Sequence, residues 1–403
     1  MLIEDQILYL TPLNPLGLYP ILNPRCPLFH HTVAVIKQVR LQTRGLNIAI
    51  YTSHSHIMAS KHLAAVLPQQ GGPFVVQPRP TLDPGPGELL IEAKAIAVNP
   101  VDYSQRDKGF PPIPSYPTVI GSDVAGVVVK TGPDVPGSAP KPGTRVTAFA
   151  SSFFKGGLAQ YGGFQQLVLA SHEGVVPLPD SISFEEGAVF PLAVLAALSG
   201  FTTIDVPLDT RYAPEDKKAI LIWGGASSVG TIAVQFARQL GFTVYATASE
   251  KNLRYLESLG AHHVFDYRAE DVVRQIVAAV KQDGVILTDA QCAAGDSLQS
   301  VLDVLRDTKG DSQGMVGHAP PLLPGAPSLD GVEVRFSMPP MDPAARAQHI
   351  REAFQGWLAS GLAAGTVVPS PRVEIVDGGL EGLNSALDTL KQGVSATKLV
   401  VRV

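Results

Sequence analysis

The stretch Ala219-Ile220-Leu221-Ile222-Trp223 is followed at once by Gly224-Gly225-Ala226-Ser227-Ser228-Val229-Gly230 and then by the apolar run Thr231-Ile232-Ala233-Val234-Gln235-Phe236-Ala237. A buried strand, a tight turn of small residues and a helix therefore follow one another without a gap. Small side chains in such a turn let backbone N–H groups approach a pyrophosphate, and the helix N-terminus adds partial positive charge. This order predicts the βαβ unit of a dinucleotide site.

The end of the next predicted strand indicates which dinucleotide binds. The strand ends at Thr247, about twenty residues after the turn, where an Asp or Glu would mark a site for NAD. Ser249, Lys251 and Asn252 follow. Hydroxyl and ammonium groups can hold a ribose 2′-phosphate that an acid would repel, so these residues favour NADPH. Glu250 argues against this interpretation, and an ordinary solvated loop is the alternative.

The chain is long and rich in apolar residues. It has 403 residues, of which 45% are hydrophobic and 17% are charged. A single hydrophobic core stops growing at roughly 250 to 300 residues, so the length predicts two folded domains. The net charge is −5 and no long basic run occurs, which argues against a nucleic-acid partner because such sites cluster Lys and Arg.

The number of cysteines and the hydropathy of the chain indicate where in the cell the protein is located. Only Cys26 and Cys292 are present, too few for a disulfide framework or a four-cysteine zinc site. No run approaches the roughly 20 apolar residues needed to cross a bilayer. We therefore expect a cytoplasmic protein that does not span a membrane.

The first 57 residues differ from the rest of the chain. No acidic residue occurs between Asp5 and Asp83, while Arg and Lys are scattered among Pro, Leu and His without a clear period. We expect residues 1–57 to be a disordered extension, with a mitochondrial transit peptide as the alternative. Met58 is a second candidate for the start of the chain.

Two different patterns follow this extension. Short β-rich segments such as Glu88-Leu89-Leu90-Ile91-Glu92-Ala93 lie between Gly and Pro turns, which predicts a β domain. After a helix that Ser183 and Glu186 cap, strands and helices alternate. This alternation predicts a doubly wound parallel sheet and an α/β fold, with later strands near Val264-Phe265 and Val285-Ile286-Leu287-Thr288. The last segment contains a helix around Ile350 and ends in a strand over residues 398–403.

Two motifs precede the glycine turn, namely Ala97-Val98-Asn99-Pro100-Val101-Asp102 and Ile120-Gly121-Ser122-Asp123-Val124-Ala125-Gly126. With the turn, they make the chain resemble the medium-chain dehydrogenase/reductase superfamily from about Lys61 to Val403. The match is to the zinc-free quinone oxidoreductase and enoyl reductase branch. It looks closest to fungal members that include trans-acting enoyl reductases serving polyketide synthases.

The resemblance implies a split architecture. A GroES-like catalytic β domain would begin over residues 58–190, a Rossmann NADPH-binding domain would occupy residues 191–340, and residues 341–403 would return to complete the first domain. The active site would lie in the cleft between the two domains. The oligomeric state would be a monomer or a homodimer.

The resemblance also implies the catalytic residues. Zinc-dependent relatives carry Cys in the first motif and Gly-His-Glu in the second, where this chain has Asn99 and Gly121-Ser122-Asp123, so no metal site is expected. Asn99, Asp102 and Tyr103 stand where the family lines the nicotinamide cleft. Tyr103 would either donate a hydrogen bond to the substrate carbonyl or form a wall. Relatives with a Trp-Lys pair after the Asp differ from this chain, so a lysine-assisted proton transfer does not carry over.

Further cofactor contacts follow from the same resemblance, and each can instead be structural. They are Gly225, Ala226, Ser227, Ser228, Val229 and Gly230 in the turn, Tyr267 near the adenosine phosphate, Asp289 after the next strand, and Gly317 and His318 at the following strand end. Asp289 can instead cap a helix, and His318 can face solvent.

Without a Lewis acid to stabilise an alkoxide, hydride transfer favours acceptors that delocalise charge into an adjacent carbonyl. The leading hypothesis is an NADPH-dependent reductase of conjugated C=C bonds, which acts on a small molecule or a carrier-bound acyl chain, with a polyketide synthase as a possible partner. The enzymatic alternative is a quinone oxidoreductase. A nucleotide-binding protein without significant catalysis is the alternative of another class.

Overall fold

The computed structural model describes residues 34–43, 46–55, 60–293 and 297–403, and the chain divides into two units, Met1–Ala59 and Ser60–Val403. In the first unit, strand β1 (Ala34–Thr43) pairs antiparallel with β2 (Leu46–Ser55). The sequence predicted disorder over residues 1–57, so these two strands depart from that prediction. The rest of this extension lies outside the described residues.

The second unit begins with a β-rich region. Its largest sheet has seven strands in the order β16-β17-β5-β6-β7-β9, with β8 paired to β5, and a separate hairpin joins β3 to β4. The strands are β3 (Lys61–Val66), β4 (Val75–Pro80), β5 (Glu88–Ala97), β6 (Asp123–Thr131), β7 (Arg145–Phe149), β8 (Leu167–Ser171) and β9 (Val175–Pro177). Helix α1 (Pro100–Lys108) follows β5, so the first sequence motif lies at the carboxyl end of this interior strand.

The glycine turn lies in a second, wholly parallel sheet of six strands, in the order β12-β11-β10-β13-β14-β15. The order reverses between β10 and β13, and ligands bind at such a switch point outside the carboxyl ends of the strands. The strands are β10 (Lys218–Trp223), β11 (Thr243–Ala248), β12 (His263–Asp266), β13 (Ile286–Cys292), β14 (Gly314–His318) and β15 (Val332–Phe336).

Helices pack on both sheets, and the first of them contacts strands of the seven-stranded sheet, whereas most of the others connect strands of the parallel sheet. Helix α2 (Phe184–Gly187) is capped by Ser183 and Glu186, as the sequence predicted. The others are α3 (Pro191–Thr203), α4 (Ser228–Leu240), α5 (Leu253–Leu259), α6 (Val272–Asp283) and α7 (Leu298–Thr308). These helices set the doubly wound α/β arrangement expected from the alternating pattern.

The C-terminal segment returns to the first sheet. Strand β17 (Thr397–Arg402) pairs antiparallel with β5 and parallel with β16 (Arg372–Val376). The helices of this segment are α8 (Pro343–Arg351), a π-helical stretch (Glu352–Leu358), α9 (Ala359–Ala364) and α10 (Leu383–Gln392). The pairing of β17 brings Lys398 next to the end of β5.

Helix α3 is central to the core. Its residues Val194 and Phe201 belong to the same buried apolar cluster as Ala95 of the seven-stranded sheet and Ile222 of the parallel sheet. The helical stretch Phe184–Thr203 is long and apolar enough to cross a membrane by length and composition, but most of it is buried inside the fold. The sequence analysis had found no such stretch, and the burial identifies this one as a core helix.

Candidate cofactor groove and active site

The glycine turn joins β10 to α4 in a conformation that other residues would not tolerate. Gly224 has a φ of +81°, and a Cβ added to Gly230 would lie 2.3 Å from the carbonyl oxygen of Gly224. Ser227 caps α4, because its Oγ accepts a hydrogen bond from Gly230 N at 3.0 Å. The turn and the first turn of the helix are therefore packed directly on each other, with backbone N–H groups at the switch point.

Thr247 fixes this turn from the neighbouring strand. Its Oγ1 accepts a hydrogen bond from Gly224 N at 3.0 Å, and its carbonyl oxygen accepts one from Gly225 N at 2.8 Å. The Thr247 side chain is fully buried. At this position, where an acidic residue would mark a site for NAD, Thr247 thus holds the phosphate turn in place.

A groove of about 310 Å³ opens at the turn, within the volume range of pockets for small ligands. Five of the predicted cofactor residues line it: Ala226, Ser227, Ser249, Asn252 and Tyr267. Sequence analysis missed Trp223, Ser395 and Ala396, which also line it. Ser395 and Ala396 come from the loop before β17, and no sequence pattern places that loop at the turn.

The remaining predicted residues of the turn lie behind the groove. Gly225, Ser228, Val229 and Gly230 form the turn and the start of α4 without lining the groove. A Cβ added to Gly225 would lie 2.7 Å from Leu256 Cδ1, so this glycine allows close packing of α5. These residues support the shape of the groove.

The segment after β11 divides into a buried and an exposed part. Asn252 is 2% exposed, and its Nδ2 donates to Ser249 Oγ at 3.0 Å and to Ser395 Oγ at 2.9 Å. Its amide hydrogens therefore join the two sides of the groove. Lys251 is exposed beside it and forms no hydrogen bond or ion pair among the described residues. Its ammonium group is thus available to a ligand.

The position of Asp289 in its strand differs from the predicted one. It was predicted to follow a strand, but β13 continues to Cys292, so Asp289 lies inside the strand and pairs with Ile220 and Met315. The carboxyl group is 9% exposed, and burial raises its pKa. Its position three residues before the carboxyl end of the strand places it away from the edge where the turn lies.

Gly317 and His318 lie at the end of β14, as predicted, but outside the residues that line the groove. A Cβ on Gly317 would lie 2.9 Å from Gly200 O, so this glycine packs against α3. His318 is 6% exposed, and its Nδ1 lies 2.7 Å from Pro320 O. The alternative of a solvent-facing His318 was therefore wrong.

Asn99 and Asp102 lie together at the start of α1. Asn99 N donates to Asp102 Oδ2 at 2.7 Å, which caps the helix. Asp102 is fully buried, and desolvation is the main cause that raises its pKa to about 7. Its second oxygen, Oδ1, has no hydrogen-bond partner in the described part of the chain. A buried carboxyl group that can hold a proton near neutral pH therefore lies one residue before Tyr103.

A buried ionic cluster of Asn99, Asp123 and Lys398 lies beside Asp102. Lys398 Nζ is 2.5 Å from Asn99 Oδ1 and 2.8 Å from Asp123 Oδ2, and the two charged side chains are 3% and 0% exposed. Asn99 Nδ2 donates to Asp123 Oδ2 at 2.8 Å. Asp123 Oδ1 accepts a hydrogen bond from Leu192 N, at the start of α3, at 2.6 Å. The cluster fixes the amide of Asn99 and links the β-rich region to α3.

Asp123 lies within the second sequence motif, whereas no motif contains Lys398. The only signal for Lys398 was a lysine at the start of an apolar strand, which is usually an exposed residue. Tyr103 is half-buried and packs against the apolar core of the β-rich region without a side-chain hydrogen bond to any described residue. This packing is compatible with a wall, and the hydroxyl group is equally able to donate a hydrogen bond to a ligand, so both predictions for Tyr103 stand.

Comparison with known families agrees with this geometry. Residues 85–180 match the alcohol dehydrogenase GroES-like domain, and residues 228–316 match the zinc-binding dehydrogenase domain. The two matches fall on the seven-stranded sheet and on the parallel sheet, respectively. Together with the groove at the switch point, they define a nicotinamide-dependent oxidoreductase.

Two individual relatives indicate the branch of the family to which this chain belongs. The trans-enoyl reductase tndF of Aspergillus flavipes is 56% identical over 85% of this chain and 99% of its own length. The trans-enoyl reductase tazE of Aspergillus terreus is 56% identical over 72% of this chain and 96% of its own length. The chain therefore belongs to the medium-chain dehydrogenase/reductase superfamily, in its fungal enoyl reductase branch.

Solved structures share the fold. A putative zinc-dependent alcohol dehydrogenase of Rhizobium etli superposes with a TM-score of 0.68 at 25% identity, over 86% of this chain and 99% of its own. A quinone oxidoreductase of Pseudomonas syringae gives a TM-score of 0.65 at 23% identity, over 85% of this chain and 100% of its own. These two proteins confirm the α/β fold with its GroES-like and Rossmann parts.

Proposed function

We propose that this protein is an NADPH-dependent, zinc-independent reductase of conjugated C=C bonds that acts on enoyl thioesters. The observation that carries the proposal is the cluster of Asn99, Asp123 and Lys398 at the centre of the site. Asn99 and Asp123 belong to the two motifs in which zinc-dependent relatives carry Cys and Gly-His-Glu, and the ammonium group of Lys398 contacts both of them. The 56% identity to two trans-enoyl reductases supports the same acceptor class.

The proposal that the enzyme works without zinc rests on the side chains that could act as metal ligands. Among the described residues, no three His, Cys, Asp or Glu side chains come together to hold a metal ion. Lys398 already neutralises Asp123, and its ammonium group would repel a cation at this place. Zinc, which needs three protein ligands in a catalytic site, does not fit these residues.

The proposal of NADPH rests on the end of β11. The side chains there are Thr247 and Ser249 in the groove and Lys251 beside it, and a 2′-phosphate would gain hydrogen bonds and a counter-charge from them. Glu250 is exposed, begins the short helical turn after β11 and does not line the groove. The glycine turn and the N-terminus of α4 would hold the pyrophosphate.

When bound, the cofactor supplies the hydride that adds to the β-carbon of the acceptor. Asn99, held by Lys398 and Asp123, would orient the reactants at one edge of the cleft. Burial raises the pKa of Asp102 to about 7, and because this carboxyl group is fully buried against Asn99 N it would position Asn99, while water would protonate the enolate. Tyr103 would form a wall that excludes water.

A carrier-bound acyl chain delivered by a polyketide synthase is the physiological acceptor in this proposal. It rests on the trans-enoyl reductases among the relatives. The cytoplasmic location and the choice between monomer and homodimer stay predictions.

Following NADPH absorbance with matched enoyl thioesters, simple enones and quinones tests the function. We expect turnover of enoyl thioesters without added metal and in the presence of a chelator. Turnover of quinones alone would replace the proposal with a quinone oxidoreductase. Cofactor binding without turnover of any acceptor would indicate a non-catalytic nucleotide-binding protein.

Replacing Lys251 with Ala tests the cofactor. Loss of one charge-assisted hydrogen bond costs about 1.5 kcal/mol, so the Kd for NADPH should rise roughly tenfold while the Kd for NADH is unchanged. Titration of cofactor fluorescence measures both. Lys281→Ala, an exposed lysine of α6, is the control. An equal loss of both cofactors in Lys251→Ala would contradict the proposed role.

A further inference from the structure

A second, smaller cavity lies in the β-rich region and has no role in the proposal above. It measures about 40 Å³, the space of roughly three water molecules, and is lined by α1, the loop over residues 112–120 and the turn over residues 152–157. Ile113, Val119 and Phe153 are among its apolar walls. The cavity is too small for a nucleotide and has the size of a short part of a ligand.

Two polar side chains in this cavity have no partner. Gln105 and Ser152 are 8% and 7% exposed, both line the cavity, and neither side chain forms a hydrogen bond with another described residue. The hydroxyl group of Ser151, which precedes Ser152 but does not line the cavity, is also buried without a partner among the described residues. Buried polar groups in folded proteins are almost always hydrogen-bonded, and leaving one unpaired costs about 1–3 kcal/mol. Gln105 and Ser152 line the cavity, so their hydrogen bonds would go to water or to a ligand group that enters it and displaces the water.

The cavity lies next to the proposed reaction centre. Gln105 follows Asp102 by one helical turn, and residues three apart on a helix have Cβ atoms roughly 5–6 Å apart on one face. Ser152 follows the end of β7, where Phe149 pairs with Asp123 of the ionic cluster. A chain that extends a few atoms from the reacting double bond would reach the cavity.

We propose that this cavity receives a segment of the acyl chain beyond the reacting double bond, and that the segment carries an oxygen, as a hydroxyl or keto group. Gln105 and Ser152 would donate to or accept from that oxygen, while Ile113 and Phe153 contact the flanking carbons. A plain alkyl chain would leave the amide and the hydroxyl group unpaired, and a site built for a hydrogen bond rejects such an analogue. The inference rests on the proposed function and names its substrate class as oxygenated enoyl thioesters.

A pair of enoyl thioesters of equal length tests this inference, one with a hydroxyl or keto group at C5 or C7 and one without. The unmodified protein should prefer the oxygenated thioester by about tenfold or more in kcat/KM. Gln105→Leu should abolish that preference, because it raises the KM of the oxygenated thioester and lowers the KM of the plain one, whose chain no longer leaves an amide unpaired. Ser152→Ala should reduce the preference in part. Gln275→Leu, at an exposed position of α6, is the matched control.

Equal kcat/KM values for the two thioesters in the unmodified protein would overturn the inference, as would an equal fall for both in Gln105→Leu. If the unmodified protein reduces neither thioester, the proposed function fails. The cavity is then tested by calorimetric binding of the saturated C5-hydroxyacyl thioester and its plain counterpart. Stronger binding of the hydroxyacyl compound that Gln105→Leu removes would still support the cavity, and equal binding would overturn it.

Discussion

The cofactor groove and the ionic cluster of Asn99, Asp123 and Lys398 are built in opposite ways. The groove takes most of its lining from one continuous stretch, where β10, the glycine turn and the segment after β11 follow in order. The cluster joins side chains from the end of β5, the start of β6 and the start of β17, with the backbone of α3. The first region depends on backbone shape, and the second on the balance of buried charges.

This difference predicts which substitutions destabilise the fold and which affect binding alone. A charge buried in the cluster loses its water and depends on its partner, so its removal acts on the whole protein. A side chain added to the glycine turn acts on a backbone that we propose to bind the phosphates of the cofactor. The three substitutions below are ordered from the largest expected effect to the smallest.

Lys398→Met should have the largest effect. It leaves the carboxylate of Asp123 buried without its counter-charge, which costs about 3–5 kcal/mol in the free energy of unfolding. Urea unfolding followed by circular dichroism measures the loss. The control is Lys391→Met, because the exposed ion pair of Lys391 with Asp107 should contribute less than about 1 kcal/mol. Equal losses in the two variants would show that the buried cluster contributes no more to the free energy of unfolding than the exposed ion pair.

Asp102→Asn should change how stability depends on pH. In the folded protein the pKa of Asp102 is raised from 3.8 to about 7, so the folded state keeps a proton that the unfolded state releases between these values. The contribution is fully present below about pH 4 and is lost as the pH rises through about 7. An Asn has no proton to lose and can still accept the hydrogen bond from Asn99 N.

Relative to the native protein, Asp102→Asn should therefore gain stability between pH 4 and pH 8, by an amount on the order of 2–4 kcal/mol. Urea unfolding at pH 5 and pH 8 measures the difference. Parallel pH profiles for the two proteins would mean that Asp102 is ionised normally in the folded state.

Gly230→Ala should have the smallest effect on folding, about 1–3 kcal/mol, because the added Cβ must displace the carbonyl group of Gly224. The shifted turn should raise the Kd of both NADPH and NADH by at least tenfold, since the pyrophosphate is common to both. Gly137→Ala, which adds a Cβ in open space, is the control. Unchanged cofactor affinity in Gly230→Ala would separate the turn from cofactor binding.

The starts of several helices could be predicted because the residues that specify them are close together in the sequence. The capping pair of Ser183 and Glu186 starts α2, and the turn after Trp223 starts α4, as expected. Asp289 shows the limit of such reasoning. A carboxylate after an apolar run reads as the end of a strand, yet β13 continues to Cys292, because pairing with β10 and β14 keeps that segment extended and buried.

The groove was predicted in part for the same reason. Ser227, Ser249 and Tyr267 follow the strands that form its edge, so the parallel topology brings them together. Ser395 is more than a hundred residues away in sequence, and only the return of the C-terminal segment places it against Asn252. No periodic pattern in a single sequence encodes that contact.

The sequence by itself determined the class of fold and the glycine turn between β10 and α4, because strand, turn and helix propensities act over a few residues. Only the tertiary structure decided that Lys398 is a buried counter-ion and that Asp102 holds a proton near neutral pH. It also placed Gln105 and Ser152 in a cavity where their side chains form no hydrogen bond with another described residue. Burial and charge pairing depend on residues distant in the chain, and a pKa depends on the solvent that the folded chain excludes.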